Sequence, residues 1–202
     1  MDFVKEFSTF LHEKKIIRFG DFTLASGKKS SYYVDLRLVP SYPHQFRKMV
    51  KYLQNEIIKD IGLERFDSLV SVPTGGLVIA SALAIEIVKP LIYVRSKPKD
   101  YGTSKSVEGK IWEEMKVVMI DDVATTGGSV VNGIISLKEL KIKVEDAYVI
   151  VNRMEGADKA LKNQGVTLHS ITNVMQITKS LHEQNLVDDD ILQKVQEQIK
   201  IA

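Results

Sequence analysis

The chain contains no cysteine, which removes disulfides, thiolate metal sites and cysteine nucleophiles and fits a protein of the reducing cytoplasm. Proline is scarce, at five in 202 residues, and no biased or repeated segment marks a linker between domains. Charge of one sign is not in excess. With 28 basic and 26 acidic residues the net charge is +2, so no global field draws nucleic acid or an acidic membrane, and any attraction for anions has to be local. Long hydrophobic runs are missing as well: the longest, Gly76 to Ile85, is about half of the ~20 residues a membrane span needs and reads as a buried helix. The opening MDFVKEFSTFLHEKK carries acids and has no apolar core, unlike a secretory leader. Neither a GxxxxGK[ST] nor a GxGxxG loop occurs, which sets aside two common nucleotide-binding fingerprints. His12, His44, His169 and His182 are scattered without ligand spacing and read as structural.

What the chain does hold is an alternation of short apolar runs and amphipathic stretches, with 44% hydrophobic residues to fill one sizeable core. Phe3, Phe7, Phe10 and Leu11 recur at helical spacing and predict a first helix ending near Arg18 to Gly20. In residues 18–38, FTLASGKKSSYYVDLRL predicts two short strands around a Ser-Gly-Lys-Lys turn, a hairpin. Phe46, Met49, Val50, Leu53 and Ile57 mark a second helix, which stops before the DIGLERFD connector. Beyond it, SLVSVP, PLIYVR, KVVMID, DAYVIVN and VTLHSIT read as strands, and GLVIASALAIEIV, SVVNGIISLKEL and GADKALKNQ as helices. These strands are continuous apolar runs, the pattern of strands buried on both faces. The expected class is therefore α/β, a central parallel sheet of about five strands flanked by helices. Asp188 to Asp190 open a closing helix with Ile191, Leu192, Val195 and Ile199 on one face.

In open α/β sheets ligands bind beyond the carboxyl ends of the strands. The run Val117 to Ile120 is followed by DDVATTGGSV: Asp121, Asp122 and Val123, then Ala124, Thr125, Thr126, Gly127, Gly128 and Ser129, small and hydroxylated residues opening a helix. Backbone N–H groups at such a helix start suit a phosphate monoester, Thr125, Thr126 and Ser129 add hydroxyl donors, and Gly127 and Gly128 allow close approach. Acids beside a phosphate site are costly unless something needs them. A ribose phosphate meets both demands, its phosphate on the turn and its hydroxyls, or a metal-bound water, on Asp121 and Asp122. The bland alternatives are a Walker-B-like strand end, weakened by the missing P-loop, and a pair of helix-capping acids. Residues 95–110 hold five basic residues, Arg95, Lys97, Lys99, Lys105 and Lys110, against two acids, in a polar, glycine-containing loop suited to closing over anions. Arg153 follows the run Ala147 to Val151, where a guanidinium can grip a carboxylate bidentately. Tyr32 and Tyr33 are adjacent in a strand and face opposite ways, so one can lie over a planar ring while the other packs inward.

VVMIDDVATTGGSV resembles the phosphoribosyl pyrophosphate (PRPP) binding signature of the type I phosphoribosyltransferases. Three more segments resemble the orotate-specific members in particular: FTLASGKKSSYYVD their N-terminal segment, YVRSKPKDYGTSKSVEG their mobile catalytic loop, and VNRMEG their orotate-contacting strand end. With ITNVMQITKSL the likeness extends over almost the full chain. It implies a type I phosphoribosyltransferase fold in one domain over 1–202: 1–40 contribute a small hood including the hairpin, 65–175 the core sheet and helices, and 185–202 the closing helix. It also implies transfer of the 5-phosphoribosyl group from PRPP to orotate, giving orotidine 5'-monophosphate and pyrophosphate in pyrimidine biosynthesis.

The PRPP site so implied is Asp121 to Ser129 with Thr74 and Gly75 of the VPTGG turn, Arg95, Lys99 and Tyr101. Catalysis falls to Lys99, Arg95, Asp121 and Asp122. Orotate falls to Thr125, Arg153, Tyr33, Lys29, Ser26 and Lys28. Magnesium would be held mainly through PRPP and water, near Asp121 and Asp122. A cytoplasmic homodimer sharing loop 96–109 across its interface is implied, with neither nucleic acid nor membrane as partner. The sequence departs from the family pattern at Tyr101, where many members carry histidine, at Gly75, where many bacterial members carry lysine, and at Ala25 and Ser96, where some do. A phenol, with pKa near 10 against about 6.5 for imidazole, does not replace a histidine proton donor at neutral pH. A purine- or uracil-specific transferase would share residues 117–129 without needing a cation for a base carboxylate. A ligand-sensing regulator would keep the cradle without turnover, yet no spare basic helix for DNA is visible.

Overall fold

The computed structural model of the protein describes residues 3–23, 27–95 and 106–201. Helix α1 (Phe3–Glu13) buries Phe7, Phe10 and Leu11 and stops short of the expected Arg18. Lys15 adopts a left-handed φ of 54°, which lets its N–H reach His12 O at 3.0 Å and the Ile16 N–H reach Leu11 O at 2.8 Å. This is a Schellman stop without its usual glycine. Ile16 and Ile17 thereby turn into the core, and Ile17 starts β1 (Ile17–Thr23), which pairs antiparallel with β2 (Lys29–Val34) as the hairpin requires. The second strand ends earlier than expected. Asp35 Oδ1 accepts the Arg37 N–H at 3.3 Å and caps a 3-10 turn, Leu36–Ser41, in place of strand through Leu38. Helix α2 (Pro43–Asp60) then buries Met49, Val50, Leu53 and Ile57.

The central sheet contains β3 (Ser68–Ser71), β4 (Leu91–Val94), β5 (Val107–Glu108), β6 (Lys116–Ala124), β7 (Lys143–Asn152) and β8 (Thr167–Asn173), in the order β5-β4-β3-β6-β7-β8. All pairings are parallel except that of β5, which adds antiparallel to the β4 edge from within the stretch read as loop. Two residues are too short a run to show a strand pattern.

Among the described residues five α-helices follow α2: α3 (Gly75–Ile87), α4 (Gly128–Glu139), α5 (Ala157–Lys162), α6 (Val174–Glu183) and α7 (Asp189–Ile201). Leu69, Val118, Ile120, Tyr148 and Ile150 pack on one face with Leu53, Leu83 and Ile177. Val70, Val117, Met119 and Ala147 pack on the other with Ile134, Leu137 and Leu161. Successive residues of one strand thus enter opposite clusters, and because helices cover both, the sequence shows unbroken apolar runs. Helix α6 carries a start signal the hydrophobic pattern did not reveal, a capping box in which Asn173 and Gln176 bond each other's backbone N–H. The chain order reverses between β3 and β6, so their carboxyl ends form the crevice where this architecture binds ligands.

Candidate active site

Strand β6 continues through Asp121 and Asp122 to Ala124, so the two acids lie on the strand itself and the following turn is short. Both meet the first turn of α3. A Cβ added to Gly76 would stand 2.5 Å from Asp121 Oδ1, and one added to Gly75 would overlap the Asp122 carboxylate. Glycine at both positions lets that turn come down onto the acids. The Gly76 N–H, a donor without a partner inside the helix, bonds the Asp121 carboxylate, and the Asp122 N–H donates to Asp121 Oδ1 at 2.9 Å. Burial, and then the adjacent Asp122 charge, nevertheless push the Asp121 carboxyl well above the usual carboxylate range. Such a group is stabilised in its ionised form by a cation or by hydroxyl donors. The VPTGG turn carries a cis Pro73–Thr74 peptide and, at Thr74, a helix start without a side-chain cap.

Thr125, Thr126 and Gly127 separate β6 from α4. Gly127 has φ 80°, and its Cβ position lies 2.8 Å from Leu161 Cδ1, so both the backbone angle and the packing call for glycine there. No side chain caps α4, and Thr126, Gly128 and Ser129 are exposed. A 12-residue helix therefore begins with outward N–H donors beside two hydroxyls, the arrangement that holds a phosphate. A cavity of about 320 Å³ runs alongside, lined by Val72, Pro73, Arg95, Ser106, Ser129 and Asn132 among others. Arg95 follows β4 and its Nη1 pairs with Glu108 of β5 at 3.0 Å. A larger groove, about 630 Å³ between α1 and residues 41–45, involves none of these residues.

On the other side of the crevice Arg153 is buried, 5% exposed. Its Nε and Nη2 donate to Glu155 Oε1 at 3.1 and 2.9 Å, and Nη2 donates also to Ser30 Oγ at 3.1 Å. Its guanidinium lies 4.6 Å from the Tyr32 ring centre. Of the two guanidinium edges that can grip a carboxylate bidentately, Nε–Nη2 is occupied by Glu155, and no described residue accepts a hydrogen bond from Nη1. Glu155 was not singled out by the sequence. Burial alone would raise its pKa, but the Lys28 hydrogen bond, the Arg153 charge and the Tyr32 hydroxyl together hold it below its ordinary value.

Tyr32 is the inward tyrosine, fully buried, and burial above all raises its pKa. Tyr33 faces the other way, 5.8 Å from the Phe22 ring and 5.1 Å from the Arg18 guanidinium, and its hydroxyl accepts from Arg37 Nη2 at 3.3 Å. Arg37, also unforeseen, is clamped by Asp35 at 2.6 and 2.9 Å and feels the Asp122 charge. Lys28 joins the Arg153 group, whereas Lys29 donates to Thr23 Oγ1 at 2.9 Å on the opposite face of the hairpin. Ser26, Lys99 and Tyr101 lie outside the described residues, as do positions 96–105 of the basic loop.

Residues 44–180 match the phosphoribosyl transferase domain family. The chain is 48% identical to an orotate phosphoribosyltransferase of Cenarchaeum symbiosum across 97% of this chain and 98% of that one. It superposes on the crystal structure of orotate phosphoribosyltransferase from Aeropyrum pernix with a TM-score of 0.77 at 34% identity, covering 90% of this chain and 99% of that one. It also superposes on the UMP synthase of Leishmania donovani with a TM-score of 0.84 at 28% identity, over 98% of this chain and 42% of that longer one.

Proposed function

The chain belongs to the orotate phosphoribosyltransferases of the phosphoribosyl transferase family, and from that premise we propose how its residues move the 5-phosphoribosyl group from PRPP to orotate. The observation that carries the reading is the passage from two strand-end acids, through a three-residue turn, into an uncapped helix start. The 5-phosphate binds the Thr125–Ser129 turn, with Val123 and Ala124 shaping its approach, and the ribose hydroxyls donate to Asp121 and Asp122. Thr74, Gly75 and Arg95 face the pyrophosphate. Magnesium fits this donor set: Asp121 and Asp122 offer hard oxygen ligands, and among the described residues no cluster of three or more His, Cys, Asp or Glu could hold a metal alone. Such an ion takes most of its ligands from substrate phosphates and water; when bound, it offsets charge on the leaving pyrophosphate.

Orotate lies beside Thr125, its carboxylate on Arg153 Nη1, with Tyr33, Ser26 and Lys28 completing that corner, and Lys29 joins it on turning away from Thr23. The bond from ribose to pyrophosphate breaks through an oxocarbenium-like state, with Arg95 and Lys99 stabilising the departing charge and no covalent protein intermediate. The chain acts as one domain with residues 1–40 as hood and 185–202 as closing helix. It pairs as a cytoplasmic homodimer sharing loop 96–109, Tyr101 included. The apolar stripe of α3 and its C-cap supports the pairing, with Val78 and Ile85 of the helix and Val88 just after it at 43, 81 and 87% exposure. No helix among the described residues is long and apolar enough to cross a membrane. Ultraviolet absorbance of orotate, followed with purified protein, PRPP and magnesium, tests the reading: steady loss is expected, and no loss with any loop-closing substrate mixture rejects it.

A further inference from the structure

Glu155 is a fully buried carboxylate with five donors on it: Tyr32 Oη at 2.9 Å, Arg153 Nε at 3.1 Å, Arg153 Nη2 at 2.9 Å and Gln198 Nε2 at 3.0 Å on Oε1, and Lys28 Nζ at 3.0 Å on Oε2. Gln198, on the closing helix α7, also bonds the hairpin: its Oε1 accepts from the Ser31 N–H at 2.7 Å and Ser31 Oγ at 2.8 Å, and its Nε2 donates to Ser30 Oγ at 3.1 Å. The three parts come from residues 28–32, 153–155 and 198, and the first and last lie outside the 44–180 segment shared across the family. A core that serves every base does not need them. Two cations and one carboxylate leave this group with one net positive charge, matched to one carboxylate on the base. Three of the five guanidinium N–H donors are taken, two by Glu155 and one by Ser30, so the donors left for a ligand are the two on Nη1.

We propose that Glu155 and Gln198 are positioning residues for base selection: Glu155 fixes the rotation of the Arg153 guanidinium so that Nη1 meets the orotate carboxylate, and Gln198 makes α7 the lock that holds Glu155 and β2 together. The proposal rests on the reading of Arg153 as the orotate contact. It differs from a purely electrostatic role for Glu155, because neutralising that carboxylate raises the local positive charge and would by charge alone tighten orotate binding.

The experiment is steady-state kinetics of the full-length protein with orotate and PRPP varied separately, for Gln198→Ala, Glu155→Gln and Arg153→Ala. Hydrogen bonds to charged groups are worth about 1.5–3 kcal/mol, so KM for orotate is expected to rise roughly tenfold or more in Glu155→Gln, and about three- to tenfold in Gln198→Ala, whose lost contacts act on Arg153 only through Glu155 and the hairpin, with KM for PRPP within twofold. A general loosening of the fold would move both KM values or kcat together. An unchanged or lower orotate KM in Gln198→Ala overturns the proposal, and so does a lower one in Glu155→Gln; Gln198→Ala carries the test alone if Glu155→Gln does not fold. Should Arg153→Ala leave the orotate KM unchanged, the reading of Arg153 fails instead, and wild-type protein that consumes no orotate removes the premise.

Discussion

Replacing Gly76 by alanine sets a Cβ 2.5 Å from Asp121 Oδ1, 2.7 Å from Asp121 Cα and 2.8 Å from Ser71 Oγ. One of these atoms is backbone of the central strand β6 and cannot rotate away. Overpacking of this kind costs about 1–3 kcal/mol, and the better helix propensity of alanine returns about 0.5–1 kcal/mol. The net loss of about 1–2 kcal/mol lowers the thermal midpoint of a chain this size by roughly 2–8 °C. Gly75→Ala is the matched control, because the three atoms nearest its Cβ all belong to the Asp122 carboxylate, the far end of a side chain. That carboxylate can turn aside, so the midpoint holds while KM for PRPP rises. Circular dichroism melting and PRPP kinetics on both variants measure the difference. If Gly76→Ala melts with the wild type, or Gly75→Ala is the less stable of the two, the acids do not press on the α3 start and the geometry argued above is wrong.

Asp121→Asn relieves a carboxyl whose native pKa is raised by burial and then by Asp122. The cost of ionising it is absent below the ordinary range near 3.9 and grows as pH rises from there through the raised native value. The variant is therefore expected to melt higher than wild type at neutral pH, with no gain in acid, and to bind PRPP more weakly; a lower neutral midpoint contradicts this. Arg153→Ala should raise KM for orotate at least about tenfold, the equivalent of one charge-assisted hydrogen bond, while KM for PRPP changes little. Lys99→Ala should lower kcat far more than it raises KM for PRPP, because the task assigned to it belongs to the departing charge. Equal small effects on both constants would show that the charge is stabilised elsewhere.

The sheet was legible because its strands are buried on two faces: Leu69 and Val70, or Val118 and Met119, enter different cores, so every position had to be apolar. The β6–α4 turn was legible because local chemistry defines it. What escaped was set by contacts distant in sequence. Glu155 reads as an ordinary surface acid in VNRMEG, and it takes Lys28 and Tyr32, 127 and 123 residues away, with Gln198, 43 residues on, to join Arg153 in making it a buried hub. The reading of Arg153 as a carboxylate grip took no account of that neighbour, which bonds Nε and Nη2. The end of α1 escaped for a different reason, since Lys15 fills a left-handed position normally marked by glycine. Helix α6 could have been read, as Asn173 and Gln176 stand three apart at its start.

Crystals of the protein soaked with PRPP and magnesium test the central claim most directly. The account predicts the 5-phosphate within hydrogen-bond distance of the N–H groups at Thr126 to Ser129, and both ribose hydroxyls on Asp121 and Asp122. A phosphoribosyl group bound elsewhere, or that turn left bare at saturating PRPP, would contradict it.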